Sequence, residues 1–153
     1  MERKLMPDDF AGVLQIFDGS TVGVLDNLPG GLVCFSGDRE TAFCYVSPGV
    51  YRMLGYTPEE FEEVFENRFS RMVYKRDRKR LFASVEAAVN AAKENERFFS
   101  NEYRIRKKDG ELIWVHDEGH RIKDSNGKDW NFALIVDVTA SHRLLKSRQI
   151  LVS

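Results

Sequence analysis

Three histidines and two cysteines are the side chains of this chain best suited to nucleophilic, redox or metal chemistry. His116 and His120 share a face of a segment with strand character but lie roughly 13 Å apart, at about 3.3 Å per residue. That distance is too long for two ligands of one metal ion. We expect two half-exposed strand residues there, with pH sensing as the alternative. Cys34 and Cys44 form no C-x-x-C pair and lie in apolar runs, which indicates two small buried hydrophobic residues.

The sequence contains none of the spacings that mark a known catalytic centre. It has no G-x-S-x-G and no H-E-x-x-H, and Gly30-Gly31 is not followed by the lysine and serine of a phosphate loop. No pair of acidic residues is placed as an acid/base couple. We therefore expect a domain that is not an enzyme and has no metal site. Enzymatic activity, if there is any, would lie in an output domain outside this chain.

Length, composition and charge predict one globular domain. The chain has 153 residues, 42% of them hydrophobic and 31% charged, with a net charge of −1. A near-neutral chain is not expected to bind nucleic acid. The basic run Lys75–Arg80 has no interleaved aromatic residues and fits the solvated start of a helix. No segment approaches the roughly 20 apolar residues of a membrane-spanning helix. The polar start Met1–Phe10 is unlike a signal peptide, so a cytoplasmic location without a membrane segment is predicted.

The first third of the chain changes from helical to strand patterns. Apolar residues spaced by three and four predict a short amphipathic helix over 7–18, and Ser20 is placed to cap a second one that ends at Leu28. From Gly31 onward, β-branched and aromatic residues predict strands over 32–35 and 42–46. We expect these two strands to be neighbours, joined by a turn.

Proline and threonine mark the helices that follow. Ser47-Pro48 predicts a helix that ends before Gly55, and Thr57-Pro58 begins another with acidic residues in its first turn. The stretch Leu81–Ala92 has its apolar residues on one stripe and is rich in alanine. It is the strongest helical prediction in the chain.

Three long strands are predicted in the last third, over about 97–107, 111–123 and 128–138. Asp109-Gly110 and Asn126-Gly127 are strong hairpin signals and predict an antiparallel meander. Apolar residues occur at both parities along it, so both faces of the sheet need cover. Helices would cover one face, and the N-terminal helix or a second copy of the protein the other. A polar helix follows over 140–151, with Thr139 as its expected cap.

Several short motifs occur in a fixed order along these elements. The order resembles a PAS domain of the bacterial sensory type, as found in histidine kinases and diguanylate cyclases. Where that family often has His-Pro-x-Asp before the long helix, only Asp77 is kept. The motifs are Leu28-Pro29-Gly30-Gly31, Val46-Ser47-Pro48, Leu54-Gly55-Tyr56-Thr57-Pro58-Glu59-Glu60, Asp77-Arg78, Tyr103-Arg104-Ile105-Arg106-Lys107-Lys108-Asp109-Gly110, Ile113-Trp114-Val115 and Asp137-Val138-Thr139.

The resemblance implies an α+β fold with a five-stranded antiparallel sheet. Helices would cover one face of the sheet and an N-terminal helical cap the other, and a signalling helix would leave at the C-terminus. It divides the chain into a cap or dimerisation segment over 1–19, the sensory domain over 20–138 and the start of the signalling helix over 139–153.

The resemblance also implies a ligand pocket on the inner face of the sheet. Asn101 and Asp117 are the polar members of this set; a buried carboxylate needs a partner or a ligand. The alternative is that both lie near strand ends and contact water. The predicted pocket residues are Phe43, Tyr45, Leu81, Val85, Asn101, Tyr103, Ile105, Val115, Asp117 and Ile135.

The opposite face of the sheet would then be strongly apolar and would bind the cap segment or a second copy, which predicts a homodimer. Asp137 and Thr139 would couple the last strand to the signalling helix. The predicted cap or dimer face consists of Leu112, Trp114, Phe132, Leu134 and Val136.

Two familiar cofactors do not fit the resemblance. Haem-binding relatives use a histidine on or near the long helix, and residues 58–95 contain none. Flavin-binding light sensors carry a cysteine in the region that corresponds to 65–69, which has none here. Haem and flavin are therefore not expected, and the cofactor is left unknown.

Together these features predict a cytoplasmic sensory module that binds a small molecule or a partner. It would relay a conformational change through its C-terminal helix to an output domain in the same full-length chain, a two-component histidine kinase or a diguanylate cyclase. The alternative is a ligand-free dimerisation or scaffolding module whose core is filled by its own side chains.

Overall fold

The computed structural model describes residues 30–91 and 98–152. The helices predicted within 7–28, and with them the cap segment over 1–19, lie outside the described residues.

Within residues 30–91 and 98–152, five strands and five helices follow one another: two strands, four helices, three strands and a last helix. The strands are β1 (Gly30–Ser36), β2 (Phe43–Val46), β3 (Phe98–Arg106), β4 (Leu112–Lys123) and β5 (Asp129–Asp137). The helices are α1 (Pro48–Leu54), α2 (Pro58–Phe65), α3 (Phe69–Met72), α4 (Lys75–Ala91) and α5 (Thr139–Val152).

All five strands form one antiparallel sheet in the order β2-β1-β5-β4-β3. The first and last strands of the chain therefore lie side by side at its centre, with β2 and β3 at the two edges. The α+β fold and the five-stranded antiparallel sheet expected from the sequence are confirmed. Both edges are covered locally: the Phe43 N–H donates to the Asn67 carbonyl, and the Tyr74 N–H donates to the Arg104 carbonyl.

Local sequence signals explain the helix and turn boundaries. Thr57 caps α2 in a complete capping box with Glu60, and Gly55 ends α1 at a φ of 83°. Gly110 and Gly127 have φ values of 93° and 79° in the two hairpin turns, a region that glycine adopts without steric cost. The long helix α4 begins at Lys75, earlier than the apolar stripe indicated, because the basic run forms its first turns.

The main core lies between the inner face of the sheet and the helices α1 to α4. Five of the predicted inner-face residues belong to it, each no more than 3% exposed. These are Phe43, Tyr103, Ile105, Val115 and Ile135.

Tyr45 is the exception, and its predicted placement on the inner face is wrong. Cys34 pairs with Tyr45 and Phe35 pairs with Phe43, so Cys44 is an extra residue at a β-bulge. A bulge sets two residues of one strand opposite one residue of the other, which shifts the alternation of side chains. Tyr45 therefore packs on the outer face, against the cluster of Cys34 and Phe132.

Candidate functional site

A cavity of about 470 Å³ lies between the inner face of the sheet and helix α4. Its volume falls within the range of small-molecule sites, roughly 300–1,000 Å³. Four phenylalanine rings form much of the wall, and polar side chains enter it from β3, β4, β5 and the loop between β1 and β2. The lining residues are Phe35, Gly37, Asp38, Arg39, Thr41, Phe69, Ser70, Leu81, Phe82, Val85, Glu86, Phe99, Asn101, Asp117, Arg121 and Asn131.

The cavity includes four of the ten predicted pocket residues: Leu81, Val85, Asn101 and Asp117. The other inner-face residues pack in the core beside it, and Tyr45 lies on the opposite side of the sheet. The cavity lies toward the end of the sheet where the loop of residues 37–41 closes over it.

Asp117 is the most unusual polar group of the cavity wall. Its side chain is almost fully buried, with the residue 3% exposed, and Oδ2 accepts a hydrogen bond of 2.7 Å from the Tyr103 hydroxyl. Oδ1 is enclosed without a hydrogen-bond partner among the described residues. Burial raises the pKa of Asp117 to about 7, although the hydrogen bond from Tyr103 acts in the opposite direction. The alternative expectation, that Asp117 lies near a strand end in water, is not what the structure has.

Asn101 contacts the long helix across the mouth of the cavity. Its Oδ1 accepts a hydrogen bond of 2.8 Å from the Ser84 hydroxyl of α4, and Asn101 is partly exposed. This hydrogen bond between strand β3 and helix α4 can break without disturbing the buried core.

Seven polar lining residues were not predicted from the sequence: Asp38, Arg39, Thr41, Ser70, Glu86, Arg121 and Asn131. Arg121 Nε donates to Asn131 Oδ1 at 2.8 Å, and the two residues are opposite each other in the β4–β5 register. The same alternation that gave Val115 and Asp117 extends to Arg121, so the signal was present. Gly119 interrupts the face between them, because the Phe99 ring lies where a side chain at 119 would stand.

The predicted cap or dimer face lies on the outer side of the sheet, as its alternation required. Phe132 is fully buried there against Cys34, Tyr45, Ile122 and Trp130. The other four residues, Leu112, Trp114, Leu134 and Val136, are only partly buried by the described part of the chain.

The junction with the last helix is tied to β4 through Trp114. The Trp114 N–H donates to Thr139 Oγ1 at 2.9 Å, and the Val138 N–H donates to the Trp114 carbonyl at 2.8 Å. The expectation that Thr139 caps the helix is wrong, since its hydroxyl is bonded to the sheet. Asp137 Oδ1 instead accepts a hydrogen bond of 2.9 Å from the Thr139 N–H, one of the first-turn amides that have no carbonyl partner within the helix.

A cluster of histidines and glutamates adds a second tie between helix α5 and the sheet. The His142 ring stacks on Trp114 at 4.3 Å between centroids, and its Nε2 is 2.5 Å from Glu102 Oε1. His116 bridges Glu102 and Glu118 at 3.0 and 2.6 Å. These hydrogen bonds from the His116 ring to the two carboxylates raise the pKa of His116, the one to Glu118 most strongly. His120, also expected to be half exposed, is instead buried beside Phe98.

His116→Gln is expected to destabilise the domain at pH 6 and to have little effect at pH 9. Because the pKa of His116 is higher in the folded protein than in the unfolded chain, the charged ring stabilises the fold at pH values below the unfolded pKa of about 6.5. This contribution is lost as the pH rises through the pKa of the folded state. Because the pairs are partly exposed, we expect a difference of about 0.5–1 kcal/mol in the free energy of unfolding at pH 6. Urea titrations at both pH values measure it; an equal loss at both would contradict it.

An ion pair at the start of α4 joins that helix to the edge strand β3. Asp77 is 4% exposed and accepts three hydrogen bonds from Arg104: from the backbone N–H at 2.9 Å, from Nε at 3.0 Å and from Nη2 at 2.7 Å. The guanidinium of Arg104 also lies over the rings of Tyr74 and Trp114. The same arginine therefore links the long helix to the strand surface on which α5 rests.

Two other features, a metal site and a membrane-spanning helix, can be checked among the described residues. Across 30–91 and 98–152, no group of three or more His, Cys, Asp or Glu side chains is placed to hold a metal ion. Within the same ranges no helix has the length and apolarity needed to span a bilayer.

Comparisons with known proteins agree with this architecture. The family described as "PAS fold" matches residues 43–136. A search of curated protein sequences gives no significant match.

Three solved structures illustrate the likeness of fold. A sensory box histidine kinase/response regulator from Burkholderia thailandensis is 20% identical, with 94% of each chain covered and a TM-score of 0.62. The N-terminal domain of a diguanylate cyclase with a PAS/PAC sensor from Marinobacter aquaeolei is 17% identical, with 74% of this chain and 98% of that chain covered and a TM-score of 0.54. The PAS domain of the fruit-fly ELK potassium channel is 15% identical, with 85% and 97% covered and a TM-score of 0.55.

The family match covers more than half of the chain, and it spans four strands of the sheet and every helix that lines the cavity. PAS domains are sensory modules without catalytic activity of their own. The chain belongs to the PAS family.

Proposed function

We propose that this domain is a cytoplasmic sensor that binds a small molecule in the cavity and passes a conformational change through α5 to an output domain. The output domain would be a histidine kinase or a diguanylate cyclase in the same full-length chain, by analogy with the two bacterial proteins of similar fold. Residues 20–138 would form the sensory domain, and 139–153 the start of the signalling helix.

One observation carries the ligand-binding part of the proposal. Asp117 Oδ1 is a buried acceptor with no protein partner in the described chain, and its side chain belongs to the wall of a cavity. Buried polar atoms are nearly always hydrogen-bonded, because an unmade bond costs about 1–3 kcal/mol. A ligand with an N–H or ammonium donor would satisfy this oxygen and would favour the ionised form of Asp117.

The aromatic residues that line the cavity indicate the chemistry of the rest of such a ligand. Phe35, Phe69, Phe82 and Phe99 surround the space with aromatic rings, which favour a flat apolar group. An aromatic amine therefore matches two features of the cavity, its ring surface and the unpaired buried acceptor Asp117 Oδ1.

Strand β4 provides a path from the cavity to the output helix. Asp117 is three residues from Trp114, whose backbone and ring hold Thr139 and His142. A ligand that moves Asp117 would act on a strand that carries the attachment of α5. For this to be a signal, the ligand must bind two states of that attachment with different affinity.

The alternative is a ligand-free dimerisation module, and the outer face is the feature that favours it. Leu112, Trp114, Leu134 and Val136 are partly exposed in the described chain, and apolar surface of this kind tends to bind something. Residues 1–19 or a second copy would cover it, which makes the protein a homodimer. Deletion of 1–19 is then expected to give a monomer or insoluble protein, as measured by light scattering.

A matched pair of probes tests the sensor proposal on the full chain. Phenethylamine and 3-phenylpropionate have the same ring and nearly the same length but opposite charge. We expect calorimetry at pH 8 to show binding of the amine at least about tenfold tighter than of the acid, with the preference abolished in Asp117→Asn. Glu118→Gln, at the exposed neighbouring position, is the control and should keep the preference.

Two further measurements separate the sensor from the alternative. Native mass spectrometry of the protein as purified should show a bound small molecule, and amide exchange over residues 139–147 should change when the amine binds. An empty dimer that binds neither probe, with unchanged exchange in α5, would replace the sensor by the dimerisation module.

A further inference from the structure

The two cysteines of the chain lie together at the bulge that turns Tyr45 to the outer face. Cys44 is the extra residue of β2, placed between the Cys34–Tyr45 and Phe35–Phe43 pairs. Its Sγ lies 2.6 Å from Sγ of Cys34, closer than the van der Waals separation of two sulfur atoms. Both are free thiols.

The two thiols differ in access. Cys34 is fully buried beneath Phe132, whereas Cys44 is only partly buried at the edge strand. Burial, together with the neighbouring Cys44 thiol, raises the pKa of Cys34 and keeps it protonated. A reagent from solution therefore meets Cys44 first, and Cys34 is placed to react second.

We propose that Cys34 and Cys44 form a reversible redox pair that closes a disulfide between β1 and β2 when it reacts with a small disulfide of the oxidised glutathione type. The Cys44 thiolate attacks one sulfur of that disulfide, breaks its S–S bond and releases one glutathione thiolate, which takes up a proton. The Cys34 thiol then attacks Cys44 Sγ in the mixed disulfide and passes its proton to the departing glutathione sulfur. The Cys34–Cys44 bond forms, the second glutathione leaves as a thiol, and one disulfide has been reduced while another has formed.

The position of this bond gives it a consequence for the cavity. The hairpin between Cys34 and Cys44 carries Phe35, Gly37, Asp38, Arg39 and Thr41, all of which line the cavity. A disulfide would fix the base of this hairpin and restrict how far its tip can move. The oxidation state of the pair would thus set the mobility of one wall, whether or not the cavity holds a ligand.

The test uses the full chain equilibrated in glutathione buffers of graded ratio. We expect intact mass spectrometry to show the loss of two hydrogen masses from the monomer, and alkylation after denaturation to count two free thiols in reduced protein and none in oxidised protein. Oxidation should raise the midpoint of thermal unfolding by about 5 °C or more, since the bond closes a short loop. Reduction should reverse both changes.

Two single variants keep the result interpretable. Cys34→Ala should stop at a stable glutathione adduct on Cys44, and Cys44→Ala should form neither an adduct nor an internal bond. The proposal is overturned if both thiols stay alkylatable in the most oxidising buffer, or if the wild type forms only disulfides between molecules. If a variant does not fold, thiol counting and peptide mapping of the wild type still decide between an internal bond and none.

Discussion

Asp77→Ala is expected to lower the free energy of unfolding by about 3 kcal/mol, because it removes one partner of a nearly buried ion pair. It leaves the Arg104 backbone N–H and two guanidinium N–H groups without their acceptors. The hydrogen bonds from Arg104 hold the pKa of Asp77 below its usual value, so the carboxylate is charged at neutral pH. Asp77→Asn should lose less, since its amide oxygen can still accept one of the three bonds.

Urea titration at pH 7 measures this loss, and Arg80→Gln is the matched control. Arg80 also pairs with Asp77, but at 3.8 Å and with 54% of its side chain exposed, so its removal should cost about 0.5 kcal/mol or less. If Asp77→Ala and Arg80→Gln lost similar amounts, the attachment of α4 to β3 would not depend on the Asp77–Arg104 pair.

Asp117→Asn is expected to stabilise the domain, and increasingly so as pH rises from 4 to 8. The pKa of Asp117 is raised from 3.8 to about 7 on folding, so the folded state holds a proton that the unfolded chain has released. Stability contributed by this group is therefore lost as pH rises through that window. This pKa shift corresponds to a loss of roughly 4 kcal/mol in the free energy of unfolding of the wild type at pH 8. Asparagine keeps the shape and an acceptor for Tyr103 but never ionises.

Urea titrations of wild type and Asp117→Asn across this pH range test the prediction. Glu118→Gln is the control with the opposite sign, because a hydrogen bond from His116 lowers the pKa of Glu118. A constant difference between wild type and Asp117→Asn at all pH values would show that Asp117 titrates normally. Addition of an amine ligand at pH 8 should reduce the difference, since the ligand stabilises the ionised wild type.

The sequence was informative where a local residue fixes a local conformation. Asp109-Gly110 and Asn126-Gly127 placed the hairpins within a residue or two, and Thr57-Pro58 located the start of α2, because each motif satisfies its own turn or cap. These local signals need no knowledge of tertiary packing. The resemblance to PAS domains, with which period-two alternation is consistent, assigned Tyr103, Val115 and Ile135 to the inner face.

Two features depended on information that alternation does not contain. A bulge changes the parity of a strand through one extra residue, and nothing in Phe43–Val46 marks which residue is extra, so Tyr45 was placed on the wrong face. The depth of the helix packing decides whether an inward residue lines a cavity or fills the core. Hence Asp117 borders the cavity while Val115, two residues away on the same face, does not.

The contacts at the two sheet edges have a consequence for aggregation. An uncovered edge strand presents unpaired amide and carbonyl groups to which a foreign strand can add. In β3, the backbone N–H and carbonyl of Arg104 are instead occupied by Asp77 and Tyr74, and the carbonyl of Glu102 accepts from Arg80. The first turn of α4 thus shields this margin from strand addition. Loss of the Asp77 carboxylate would therefore both weaken the fold and free the Arg104 N–H of this edge to pair with a foreign strand.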